Sequence, residues 1–100
     1  MATKPEPRYR LRLFVMGISP RSVRAIVNVR TICEEHLRDG YELEVIDITL
    51  RPALARSEQL AAAPTLIKQL PLPVRRFIGD MSQTDRIVEA LGVAPRPAMT

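Results

Sequence analysis

Two short segments with two-residue alternation, Tyr9 to Met16 and Tyr41 to Ile48, flank one long helical pattern, and that arrangement leaves few folds open. In the first segment Arg8, Arg10 and Arg12 fall on one face and Tyr9, Leu11, Leu13 and Val15 on the other; the charged face turns apolar at Phe14 and Met16. The second repeats the layout, with Glu42 and Glu44 on the face of Ile46 and Ile48, and Leu43 and Val45 pointing away. Each strand is therefore wet at its start and buried on both faces at its end. Gly17 closes the first strand, Ser19-Pro20 supplies a side-chain cap and a first-turn proline, and Gly40 stops the helix. A strand–helix–strand unit of this length pairs its strands in parallel through a right-handed crossover. In that register Arg10 and Arg12 are expected beside Glu42 and Glu44, a ladder worth about 0.2–1 kcal/mol per pair.

The helix carries Val23, Ile26, Val27, Cys33 and Leu37 at helical spacing, interrupted by Arg30, and these are its expected buried stripe. Arg51-Pro52 opens a shorter helical stretch with Leu54 and Leu60, ending in Ala61-Ala62-Ala63. Pro64 leads into a strand from Thr65 to Leu70, Pro71-Leu72-Pro73 forms a rigid turn, and Val74 to Ile78 returns as an antiparallel strand. Ser82 is placed to cap a last helix bearing Ile87, Val88 and Leu91, with Asp85 near its positive end and Gly92 past its close. Residues 8–93 form one domain, and 1–7 and 94–100 read as flexible ends. The order βαβαββα gives a mixed α/β sheet flanked by helices, the thioredoxin-like arrangement.

Charge is distributed in blocks: residues 1–30 hold seven bases against Glu6 alone, and residues 31–50 hold six acids against Arg38 alone. This layout points to segments that pair with each other or with a charged protein. The four aromatic residues do not interleave with the basic ones as stacking platforms do, which argues against nucleic acid despite a net charge of +4. No apolar run reaches the roughly 18 residues that a membrane helix needs, so a cytoplasmic location is the expectation.

Ser19-Pro20-Arg21-Ser22 stands where thioredoxins carry a cysteine pair, and a serine hydroxyl does not ionise as a thiol does. The single cysteine, Cys33, lies on the helix stripe and is expected to be a buried, inert thiol. His36 has no second ligand at metal spacing and reads as a solvated helix histidine, so neither metal nor cofactor is expected. A redox scaffold without its thiols points to binding, not catalysis. A divergent thioredoxin-fold protein acting on glutathione is the alternative from another class. Arg75 and Arg76 share a strand with their side chains on opposite faces; with Lys68 next door and Arg24 on the first helix they are the candidate partner contacts. A structural role against Asp80 or Asp85 is the competing reading for the arginine pair.

The run Leu13-Phe14-Val15-Met16-Gly17, then Ser19-Pro20-Arg21-Ser22-Val23-Arg24-Ala25, resembles the opening of the KaiB family of bacterial clock proteins. Tyr41 to Asp47 is similar to that family's second strand. Ala63-Pro64-Thr65-Leu66 and the block from Leu70 to Asp80, with Pro64, Pro71 and Pro73 as its structural turn residues, are similar to its most specific segment. The resemblance implies a non-enzymatic protein that binds the KaiC ATPase ring and affects its phosphorylation. It further implies a KaiA-like protein or a histidine kinase as an additional partner, and Arg24, Lys68, Arg75 and Arg76 as matched basic positions. It also implies two folds for one chain: a dimeric or tetrameric resting form with a rearranged second half, and a thioredoxin-like form that binds KaiC. Typical clock members carry a lysine where this chain has Glu44, and an acidic extension where it runs Ala98-Met99-Thr100. These departures favour a homologue from a reduced system, tied to another KaiC partner or to stress response without a clock role.

Overall fold

In the computed structural model, residues 8–38, 40–60 and 64–92 are described. Strands β1 (Tyr9–Val15) and β2 (Tyr41–Asp47) run parallel around helix α1 (Pro20–His36). The chain continues as α2 (Pro52–Ser57), β3 (Thr65–Leu70), β4 (Arg75–Ile78) and α3 (Thr84–Ala90). The sheet order is β2-β1-β3-β4, with β3 antiparallel to both β1 and β4. This is the expected thioredoxin-like βαβαββα sheet. Residues 1–7, 93 and 94–100, and the helix end expected at Ala61-Ala62-Ala63, lie outside the described residues.

Alternation along β1 sorts the core into two layers. Tyr9, Leu11, Leu13 and Val15 meet Ala25, Val29, Ile32 and Cys33 of α1, Leu66 of β3, and Ile87, Val88 and Leu91 at α3. On the other face Phe14 packs with Ile46 and Ile67, sealed by Ile48, Leu54 and Leu60 around α2. Each fully buried Leu or Phe contributes about 1.5–3 kcal/mol, so the first layer dominates stability. The six-residue α2 covers only the Phe14 end of its face, and the Arg10 and Arg12 end is left to charged side chains.

Three expectations need correction. The buried face of α1 comprises Ser22, Ala25, Val29, Ile32 and Cys33, whereas Val23 and Val27 are 45% and 56% exposed. Small side chains let the helix approach the sheet closely, and Ser22 spends its hydroxyl accepting a bond from the Met16 amide at 3.2 Å. Ser82 does not cap α3: Gln83 occupies that position without a side-chain bond, and Ser82 instead donates its amide to Asp80 Oδ1 at 3.1 Å. His36 is not solvated; its side chain is 12% exposed. Lys68 is 3% exposed, because β3 lies inside the sheet between β1 and β4 and its face is covered by the α1–α3 layer.

Candidate protein-binding surface

The parallel strands β1 and β2 end side by side, and Asp47 ties together the two loops that follow. Its Oδ1 accepts the Gly17 amide at 3.1 Å, the Thr49 amide at 2.9 Å and the Thr49 hydroxyl at 2.6 Å. Gly17 has φ +61°, a left-handed backbone that other residues adopt only with strain, so the loop geometry depends on glycine there. The Thr49 bonds, followed by that of Gly17, hold the Asp47 carboxyl below the usual carboxylate range. Around this clamp Met16, Ile18 and Leu50 are exposed.

At the start of α1 the two serines serve structure. Ser19 Oγ accepts the Ser22 amide at 3.2 Å, and its hydroxyl donates to Ser22 Oγ at 2.9 Å. Capping of this kind stabilises a helix by about 1 kcal/mol. Cys33 is fully buried, and burial, then the nearby Glu34 charge, pushes its thiol up to about 12. At neutral pH it is a protonated thiol packed in the core, as the helix stripe suggested, and a poor nucleophile.

The four matched basic residues do not converge on one spot. Arg24 projects from α1 with Nε 3.5 Å from Asp80 Oδ2 in the β4–α3 loop. Ser82 and then Arg24 hold that carboxyl below its ordinary range. Arg75 is exposed and sits opposite Lys68 in the β3–β4 register, on the α1–α3 side of the sheet. Lys68 itself has no ion pair among the described residues, and burial, with Arg75 adding repulsion, lowers its pKa. Arg76 lies on the other face, where its guanidinium donates to the Glu58 carbonyl at 2.7 Å. Neither Arg75 nor Arg76 forms an ion pair with Asp80 or Asp85 among the described residues. Pro64 is buried and its carbonyl accepts the Gly79 amide at 3.0 Å, while Pro71 and Pro73 stand exposed in the β3–β4 turn after two cis peptide bonds.

Sequence reading missed the apolar partners of these arginines. Leu72, Val74 and Ile78 are exposed along β4 and its turn, interleaved with Arg75 and Arg76. A four-residue edge strand cannot bury both of its faces, and that brevity was the available signal. Exposed apolar side chains among arginines are the composition of a protein-docking surface. On the opposite edge Glu44 is held by Arg12, Nε to Oε1 at 3.0 Å, and so presents a paired charge.

Among the described residues no helix is long and apolar enough to cross a membrane, and no group of three or more metal-ligating side chains gathers. Residues 12–93 match the KaiB domain family. The circadian clock protein KaiB3 of Synechocystis sp. is 47% identical over 85 residues, covering 85% of this chain and 83% of that protein. The circadian clock oscillator protein KaiB of Synechococcus elongatus is 44% identical over 87 residues, covering 87% of this chain and 85% of the relative. Among solved structures, the N-terminal domain of Synechococcus elongatus SasA superposes with a TM-score of 0.72 at 24% identity, over 91% of this chain and 86% of that one. A chloroplastic thioredoxin z gives a TM-score of 0.72 at 17% identity, over 87% and 78% of the two chains. These two likenesses establish the thioredoxin-like fold.

Proposed function

This chain is a member of the KaiB family, and on that premise we propose that it is a non-enzymatic adaptor that docks on a KaiC-type ATPase ring. Docking alters the ring's phosphorylation state or its choice of partner, with a KaiA-like protein or a histidine kinase as the further component. The observation that carries this reading is the KaiB domain match over residues 12–93, which includes every basic residue at issue. Arg75 and Arg76 on β4, with Leu72, Val74 and Ile78 beside them, form the principal contact. Arg24 contributes from α1. Lys68 lies beneath Arg75 and holds that part of the strand electropositive, so it acts from below the surface.

A non-enzymatic role is supported by the chemistry at the expected redox position, where two serines are committed to capping and the one thiol is buried. At rest the chain self-associates, as a dimer or tetramer with a rearranged second half. The Arg12–Glu44 pair supports a role outside the complete oscillator, since it changes the charge that the β2 edge offers. Calorimetric titration of Arg24→Glu and Arg76→Glu into a KaiC-type ATPase with ATP tests the docking surface. Each reversal is expected to weaken binding about tenfold or more while the fold persists. Unchanged affinity of both variants at physiological salt removes these residues from the site.

A further inference from the structure

A cleft of about 420 Å³ opens between the first turn of α1, the end of β4 and α3. Its lining is mostly polar; of the apolar residues there, Met81 and Ile87 are almost wholly buried, Phe77 is half-buried and Ile78 stands exposed at the rim. Two guanidinium groups, Arg21 from α1 and Arg86 from α3, line it from different elements. Neither has an ion pair among the described residues. The carboxylate that also lines the cleft, Asp80, is already engaged by Arg24 at 3.5 Å and by the Ser82 amide at 3.1 Å. The cleft therefore carries two arginines that have no ion pair among the described residues, beside the half-buried Phe77.

We propose that this cleft between α1 and α3 binds an acidic segment of a protein partner, one carboxylate engaging Arg21 and Arg86 and an adjacent apolar side chain resting on the half-buried Phe77. Guanidinium groups bind carboxylates through paired, charge-assisted hydrogen bonds, and two of them on separate elements define a direction for the bound segment. Phe77 distinguishes a peptide from a small anion, because only the peptide brings a side chain to cover its exposed part. Ile78 at the rim is shared with the proposed ATPase contact, but the charged residues of the two sites differ, so Arg21 and Arg86 variants report on this cleft and Arg76 variants on the ATPase contact.

The test is an amide NMR titration of the full chain with an acetylated, amidated pentapeptide alternating glutamate and leucine. The expected result is saturable shifts confined to Arg21 and the segment from Phe77 to Ile87. The glutamine analogue is expected to give none, and the double variant Arg21→Gln with Arg86→Gln to weaken binding about tenfold or more. Arg76→Gln is expected to bind as the parent does. Both substituted residues are exposed, and each single variant is expected to show an intermediate loss. The proposal is overturned if shifts spread over all the arginine-bearing surfaces, or if the double variant binds unchanged. It is equally overturned if free succinate reproduces the same shifts at the same concentration, which identifies a small-anion site.

Discussion

Arg12 of β1 lies directly opposite Glu44 of β2, and its Nε reaches Glu44 Oε1 at 3.0 Å while a second guanidinium nitrogen reaches Glu58 Oε1 at 3.4 Å. One arginine thus links the sheet edge to the residue that follows α2. With the Arg10–Glu42 pair at 3.3 Å it forms the ladder that closes the part of the sheet α2 does not cover.

Glu44→Lys places like charges opposite each other and releases Arg12. Both side chains retain solvent access, which limits the effect. A double-mutant cycle of Arg12→Ala and Glu44→Ala is expected to give a coupling of about 0.2–1 kcal/mol. Glu44→Lys alone is expected to lower the denaturant midpoint by a similar amount, measured by urea unfolding.

Cys33 is expected to resist alkylation by iodoacetamide in the native protein at neutral pH and to react readily once denaturant opens the core. Cys33→Ser buries a hydroxyl in an apolar layer and is expected to cost about 1–3 kcal/mol. Mass spectrometry after timed quenching checks the first outcome, and thermal unfolding checks the second.

The Asp47 clamp gives an acid limb with a defined sign. Its carboxyl is held below the ordinary value, so its contribution is complete above that value and is lost as pH falls through the folded one. Asp80 behaves in the same direction. Asp47→Asn is expected to lower the thermal midpoint near pH 7 and to flatten its decline toward about pH 3. A decline as steep as the parent's removes Asp47 as a cause.

Lys68 works in the opposite sense. Its folded pKa is lowered, so the charged form disfavours folding at neutral pH, and the contribution of Lys68 rises as pH approaches the ordinary lysine value of 10.5, against the opposing loss from Cys33 above 9.0. Lys68→Met is expected to stabilise the chain by about 1 kcal/mol or more and to abolish that alkaline gain. Chemical denaturation across alkaline pH reads both effects.

These residues also mark how far the sequence could be read. The alternation of β1 and β2 carried its own register, because charges early and apolar residues late in both strands fit only one alignment; the observed pairing of Arg10 with Glu42 and Arg12 with Glu44 follows from it. The Ser19 cap and the Gly17 stop were equally local and equally legible. The rotation of α1 was not. Hydropathy ranks Val23 and Val27 above Ser22 and Ala25 as core residues, whereas close packing against a sheet favours the small residues. Lys68 escaped for a related reason: its burial comes from β4, α1 and α3, none of which is visible within its own strand. The cleft at Arg21 and Arg86 joins residues from opposite ends of the chain, and no spacing pattern encodes such a meeting.

The central claim is that this thioredoxin-shaped chain works by docking. Size-exclusion chromatography with light scattering, on the full chain mixed with a purified KaiC-type ATPase and ATP, tests it most directly. The account predicts a complex heavier than the ATPase ring alone, containing this chain and lost in Arg76→Glu. Separate elution of the two proteins under every nucleotide condition, together with turnover of a dithiol or glutathione substrate by this chain alone, would contradict it.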